Sequence, residues 1–290
     1  MKINFLITHF ATTIEHRNVL LKTIESILEQ RPTAAEVSIC VVDDGSYWSQ
    51  GLFDSEVEEI KVFAGDEVKQ EEILRDIFCD SYVVTNKMDK YNKAELLNLA
   101  VENNKADFYV ILDDDHPFLS NKSLLRYLKY FETHDFVMGR LLNSKHKARR
   151  YSDRLVQGTN FGLSAELLRV VGGFGEYTAE WGRGEDSDIF YKVFSELKRD
   201  GARKAIYAGE IITIDLCSGR WLGCEGGEDR FITGFKKIHG VAPFDNEARS
   251  KQGWMAQSRP SEVIEYLFNK LNPYPRLRKA FCSLLSMANL

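Results

Sequence analysis

The sequence predicts an α/β protein with a mostly parallel central sheet and helices on both of its faces. Short apolar runs of strand length alternate with segments whose apolar residues recur at helical spacing. No internal repeat or low-complexity linker interrupts that alternation before about residue 250, and hydrophobic residues make up 44% of the 290, enough for a sizeable core.

Residues 3–7 form a short apolar run ending in polar Thr8 and His9, as expected of a buried parallel strand. In 16–29, Val19, Leu20, Ile24, Ile27 and Leu28 lie near one helical face, and Pro32 closes the segment. Residues 37–42 are a second apolar strand, broken by Asp43-Asp44-Gly45-Ser46. A charged stretch over 54–80 precedes a strand at 81–84, a helix at 93–103 with Ala94, Leu97 and Ala100 inward, and a strand at 107–112. Further on, Ile189, Phe190, Val193, Phe194 and Leu197 mark a helix that stops near Gly201. Three of the six prolines (Pro260, Pro273, Pro275) fall beyond 259, which divides the chain into a domain over 1–250 and a helical C-terminal extension over 251–290.

The formal net charge of −5 argues against a nucleic-acid partner, which would call for a basic surface. The five cysteines show no CxxC spacing, so a zinc site is unsupported and free thiols in a reducing compartment are the expectation. The apolar part of the N-terminal run is too short for a signal peptide, and no stretch nears the ~18 apolar residues of a membrane span. A cytoplasmic location is expected.

In open α/β sheets, ligands bind beyond the carboxyl ends of the strands. Asp43-Asp44 follows one strand and Asp113-Asp114-Asp115 another. Asp43-Asp44-Gly45-Ser46 alone reads equally well as a turn. Three adjacent aspartates repel one another and favour a bound cation. While the chain stays extended, Asp113 and Asp115 point to one side and share a cleft. Hard carboxylate oxygens suit Mg²⁺ or Mn²⁺, ions commonly shared with substrate phosphates. A third cluster, Trp181-Gly182-Arg183-Gly184-Glu185-Asp186-Ser187-Asp188, opens the helix that follows. Its acids would complement the helix dipole; equally, Asp186 beside a glycine-rich loop is placed to take a proton from a hydroxyl, and an exposed Trp181 would offer a sugar ring an apolar face.

These segments together resemble a glycosyltransferase of the GT-A fold, family 2-like. Val41-Val42-Asp43-Asp44-Gly45-Ser46 is similar to that family's nucleotide-binding strand end, Asp113-Asp114-Asp115 occupies the place of its DxD motif, and Asn86 with Lys93-Ala94-Glu95-Leu96-Leu97-Asn98 resembles its donor-contacting segment. Asn160-Phe161-Gly162-Leu163-Ser164-Ala165, Gly172-Gly173-Phe174 and the run from Trp181 to Phe190 resemble the beta-galactosyltransferase type in order and spacing. The resemblance fades after about residue 200.

The resemblance implies an inverting, metal-dependent transfer of a hexose or N-acetylhexosamine, galactose-type favoured, from a UDP-sugar to a glycan acceptor, free or lipid-linked, in cell-surface polysaccharide synthesis. Donor contacts would come from Thr8, His9, Asp43, Asp44, Asn86, Lys93, Asp113 and Arg220. Asp113 and Asp115 would hold Mn²⁺ or Mg²⁺. Asp186 would be the base, with Glu185 holding sugar hydroxyls, and Asn160, Trp181, Gly182 and Arg183 would meet the acceptor. Where galactosyltransferase-type enzymes supply a histidine ligand beyond the tryptophan, this chain has Asp215, with His239 the more distant candidate. Cys217-Ser218-Gly219-Arg220-Trp221 resembles the QxxRW motif of processive synthases with Cys217 in place of the glutamine. Segment 220–230 reads equally as a mobile lid over UDP or a solvated loop.

Two rivals stand beside this reading. A sugar nucleotidyltransferase would want a glycine-rich basic loop near the N-terminus, which 8–15 is not, and a non-catalytic glycan-binding protein would not need acids at 113, 115, 185 and 186 together. At the C-terminus, apolar residues at helical spacing over 261–271 and 276–288, with Lys270, Arg276, Arg278 and Lys279, leave two alternatives open. One is packing on the core or on a second subunit; the other is peripheral contact with the inner face of a membrane.

Overall fold

In a computed structural model the chain is described over residues 1–10, 14–30, 36–43, 80–84, 93–148, 156–217, 227–243 and 255–287. Its strands are β1 (Lys2–His9), β2 (Glu36–Asp43), β3 (Ser81–Val84), β4 (Phe108–Asp113), β5 (Phe136–Leu142), β6 (Phe161–Ser164), β7 (Ala205–Ile214) and β8 (Ala256–Gln257). They form one eight-stranded sheet in the order β3-β2-β1-β4-β6-β5-β7-β8. β6 is antiparallel to β4 and β5; the other neighbours are parallel.

β1 lies between β2 and β4, and Ile3, Phe5, Leu6 and Ile7 are all fully buried. The two-residue period of a strand sends alternate side chains to opposite faces. Leu6, Cys40, Val42 and Ile111 enter one core, while Ile3, Phe5, Ile7, Ile39, Val41 and Val110 enter the other. The first core is covered by α2 (Lys93–Asn103), α4 (Ala165–Val170) and α5 (Glu185–Arg199), through Ala94, Leu97, Ala100, Leu167, Ile189, Phe190 and Val193. α1 (Ile14–Leu28) and α3 (Ser123–Phe131) cover the second with Leu20, Ile24, Ile27, Leu124, Tyr127 and Phe131. Each such aliphatic or aromatic side chain contributes about 1.5–3 kcal/mol relative to exposure.

β1 runs two residues further than its apolar run predicts. Thr8 pairs with Val42 and Asp113, and His9 with Asp43, so the backbone ladder continues after the side chains turn polar. β5 and β7 part between Met138, opposite Tyr207, and Arg140, opposite Ile212. Asn160, at a left-handed φ of 54°, fills that irregularity: its Nδ2 donates to Arg140 O at 2.9 Å and Ile211 O at 3.1 Å, and its Oδ1 accepts from the Tyr127 hydroxyl at 2.9 Å. Gly139 makes this fit possible, since a Cβ there would stand 2.4 Å from Asn160 Nδ2 and 2.5 Å from Ile211 O.

The chain beyond 255 is built into this sheet. β8 pairs with β7, and α7 (Arg259–Leu271) and α8 (Pro275–Met287) bury Ile264, Phe268, Cys282 and Leu285 against Leu142, Ile212 and Ile214. Ser258 caps α7, its Oγ accepting from Ser261 N at 3.2 Å. Arg140, fully buried, donates from Nη1 to Glu265 Oε2 at 2.6 Å and from Nε to Gly209 O at 3.0 Å. Among the described residues no helix is long and apolar enough to cross a membrane.

A further helix, α6 (Gly227–His239), places Glu228, Asp229 and Arg230 on its first turn, so that part of the expected lid or loop is helical. Acids in a first helical turn complement the dipole. The rest of that segment, including Arg220 and Trp221, lies outside the described residues, as do Asp44 and Asn86.

Candidate active site

The carboxyl ends of β2, β1 and β4 stand side by side and deliver Asp43, Thr8, His9 and Asp113 to one edge of the sheet. The chain then turns: His116 N donates to Asp113 O at 3.2 Å. Asp113 N is fixed by Thr159 Oγ1 at 2.8 Å, and Asp115 O accepts from Leu216 N at 3.0 Å, which laces the end of β7 to the same turn.

The chain is not extended over the three aspartates, since β4 ends at Asp113, and the turn itself sorts their side chains. Asp114 faces inward, where His9 Nδ1 is bonded to its carboxylate and Thr23 Oγ1 donates to its carbonyl at 2.7 Å. Asp113 and Asp115 face the other way. Together with His116 they form a group whose ligand atoms all lie within 4.8 Å of one another.

This arrangement revises three sequence expectations. His9 does not face a donor: its buried ring is committed to Asp114. The third ligand-capable side chain is His116, adjacent in sequence to the triple aspartate and passed over there. Asp215 is not one of the three: its Oδ1 accepts from Cys217 N at 3.0 Å, and its charge acts on the His116 ring. His239 belongs elsewhere, its Nε2 2.7 Å from Asp188 Oδ1.

His116 tests whether a cation suits the site. Its buried Nδ1 lies 2.6 Å from Asp115 Oδ1 and 3.9 Å from Asp113 Oδ2. Burial works against charge on this ring, but contact with Asp115 and the charges of Asp113 and Asp215 outweigh it and hold the imidazole above its ordinary range. A nitrogen and two carboxylates crowded this closely form a donor set that suits a divalent cation, which would take the place of the imidazole proton.

Next to the group, the first residue of α2 brings the buried Lys93 ammonium onto Asp113, and its Nζ also donates to Gly158 O at 2.8 Å. Burial disfavours the Lys93 charge, yet Asp113, Glu185 and Asp186 more than compensate and raise the amine above its usual range. Gly158 is the seam between the two acidic clusters. A Cβ on it would lie 3.4 Å from Lys93 Nζ and 3.9 Å from Asp186 Cβ.

Glu185 and Asp186 open α5, after Gly184 at a φ of 96°. A Cβ on Gly184 would meet the Phe231 ring at 2.3 Å, so the loop needs glycine both for its conformation and for space. Asp186 Oδ1 accepts from Ser187 N at 2.7 Å, as an acid at a helix start does. Burial and the Asp186 charge push the Glu185 carboxyl upward against the pull of Lys93.

Two residues expected at the acceptor are internal. Trp181 is only 6% exposed and packs with Phe231 and Phe235 of α6; Gly234 makes room for it, since a Cβ there would stand 2.0 Å from its Nε1. The sequence reads it as exposed because the aromatic cover comes from a helix fifty residues later. Asn160 is fully buried and its amide is engaged in the β5–β7 irregularity. Gly182 and Arg183 are partly exposed beside the Glu185–Asp186 turn, with Arg183 5.9 Å from the Phe231 ring.

A mostly parallel sheet with one antiparallel strand, helices on both faces, a helical C-terminal part and an acidic turn at the strand ends define the GT-A fold, that of nucleotide-diphospho-sugar transferases. Among solved structures the chain is similar to the mannosyltransferase PcManGT from Pyrobaculum calidifontis in complex with GDP-Man and Mn²⁺, with a TM-score of 0.52 and 16% identity over 97% of this chain and 73% of that one. TarS 1-349 of S. aureus in complex with UDP aligns at a TM-score of 0.49 and 12% identity, over 74% of this chain and 57% of that one, a likeness too low to bear on function. No protein-family model and no curated protein sequence matches the chain.

Proposed function

We propose that the chain is a metal-dependent, inverting glycosyltransferase that moves a hexose or N-acetylhexosamine from a nucleotide-diphosphate sugar to a hydroxyl of a glycan. The observation that carries this reading is the metal-capable group Asp113, Asp115 and His116 at the carboxyl edge of the sheet, joined through Lys93 to Glu185 and Asp186. The order of the second-half motifs supports a UDP-linked, galactose-type donor and a place in cell-surface polysaccharide synthesis. The mannosyltransferase of the same fold carries GDP-Man with Mn²⁺, so guanosine-linked donors belong in the test.

Asp113, Asp115 and His116 would hold Mn²⁺ or Mg²⁺, and the imidazole favours Mn²⁺, since Mg²⁺ prefers an all-oxygen set. A divalent cation held there would supply positive charge to offset the donor diphosphate and the charge that develops on the departing nucleotide. Thr8 and Asp43, with Asp44, Asn86 and Arg220, would bind the nucleotide. Lys93 holds Asp113 in place and supplies a fixed positive charge beside the diphosphate. Glu185, beside Asp186 at the start of α5, holds a sugar hydroxyl. Asp186 takes the proton as the acceptor oxygen attacks the anomeric carbon opposite the leaving diphosphate. One displacement inverts that centre. Gly182 and Arg183 would border the acceptor.

A panel of UDP- and GDP-sugars, assayed for nucleotide release with Mn²⁺, with Mg²⁺ and with chelator, tests the reading. One donor should be hydrolysed slowly in the presence of metal and not in chelator. Release that ignores chelation, or none from any donor, overturns it. Proton NMR of the first product formed with an acceptor then reads the anomeric configuration.

A further inference from the structure

We propose that the outward faces of α7 and α8 form a docking surface for an anionic lipid bilayer. The two helices are amphipathic twice over. Ile264, Phe268, Cys282 and Leu285 face the sheet, yet Val263, Tyr266, Tyr274, Leu277, Leu284 and Met287 are each between 53% and 71% exposed. These are six of the ten large apolar side chains exposed among the described residues, gathered in one short stretch. At 100° per residue, Leu277, Ala280, Leu284 and Met287 make a continuous stripe along α8 on the side away from Cys282 and Leu285, with Arg276 and Lys279 on its flank. On α7, Val263 and Tyr266 share the outward face with Arg259, Glu262 and Lys270, and the Lys270 ammonium lies 5.6 Å from the Tyr266 ring centre.

Charge identifies the occupant. From 266 to 290 the chain has four Lys or Arg residues and no Asp or Glu, in a protein of net charge −5. Lys270, Arg276 and Lys279 are exposed; Arg278 is buried, donating to Asn272 Oδ1 at 3.1 Å. Apolar and tyrosyl side chains bordered by Arg259, Lys270, Arg276 and Lys279, against the single exposed acid Glu262 on α7, suit insertion at the headgroup level of an anionic membrane. A second copy of the chain would bring the same positive charge against itself.

Flotation with phosphatidylcholine–phosphatidylglycerol vesicles, against pure phosphatidylcholine vesicles, tests the proposal in the full chain. The protein should float with the anionic vesicles at low salt, stay behind with the neutral ones, and be released by high salt. A Leu277→Asp/Leu284→Asp variant should lose binding. Lys270→Gln/Arg276→Gln/Lys279→Gln should lower partitioning on the order of a hundredfold. None of these side chains belongs to the Asp113–Asp186 site, and circular dichroism should match the parent; should the aspartate variant misfold, the glutamine variant decides. Absence of flotation, equal binding to neutral vesicles, or variants that bind as the parent does overturn the proposal. A dimer that Leu277→Asp/Leu284→Asp converts to monomer, with no vesicle binding, assigns the face to a second copy instead. None of these outcomes depends on whether the transferase reading holds.

Discussion

His239 at the end of α6 reaches Asp188 in the first turn of α5, with 2.7 Å between Nε2 and Oδ1. The same fully buried carboxylate accepts from the Tyr177 hydroxyl at 2.5 Å and pairs with Lys192 at 2.8 Å. It thereby ties the acidic turn of the site to the helix that covers Trp181.

Burial by itself would push the Asp188 carboxyl up, but His239, Lys192 and Tyr177 hold it below the ordinary carboxylate range. A folded-state value below the unfolded one means that the stabilisation is complete above about pH 4 and is lost as the pH falls through the folded value. Asp188→Asn should cost about 3 kcal/mol at neutral pH. In urea titrations the gap between parent and variant should narrow below pH 4; a gap that stays constant there would show that the pair does not titrate as described.

His116→Ala should weaken Mn²⁺ binding by roughly tenfold or more, about 1.4 kcal/mol, and Mg²⁺ binding by less. Asp115→Ala should abolish both. Electron paramagnetic resonance of Mn²⁺ titrated into protein without substrate reads this independently of turnover. If His116→Ala retains Mn²⁺ as the parent does, the imidazole is only a neighbour of the group.

Asp186→Asn should keep nucleotide binding and lower kcat by a factor on the order of 10²–10⁴, as expected on loss of a general base. A comparable loss in Glu185→Gln, with Asp186→Asn nearly active, would exchange the two roles. Unfolding of Asp186→Asn would instead point to its place at the helix start, where it accepts from Ser187 N.

Glu265→Ala leaves the Arg140 guanidinium buried without its carboxylate and should cost about 3–5 kcal/mol. Removing the chain from Ser258 onward should unfold the protein, because it strips Leu142, Ile212 and Ile214 of their cover as well. Thermal melts of both variants check this. A truncated chain with an unchanged Tm would show that the C-terminal helices add nothing to the core.

The alternation of apolar runs and helical periods was enough to place β1, β2, β3, β4, α1, α2 and α5, because each is specified by local period along the chain. The triple aspartate was legible as a candidate cation site, although the turn after β4, rather than strand alternation, brings Asp113 and Asp115 together. Roles that depend on distant partners were not. His9, Asn160 and Trp181 sit in stretches that resemble a ligand site, but their partners are Asp114, Ile211 and Phe231, brought to them only by the sheet and by α6. His116 became a candidate ligand because the turn after β4 folds its ring onto Asp115, and His239 ceased to be one because α6 ends on Asp188. Period and composition are properties of neighbours along the chain, whereas a side chain's partner is decided by which elements pack together, and that only the tertiary structure determines.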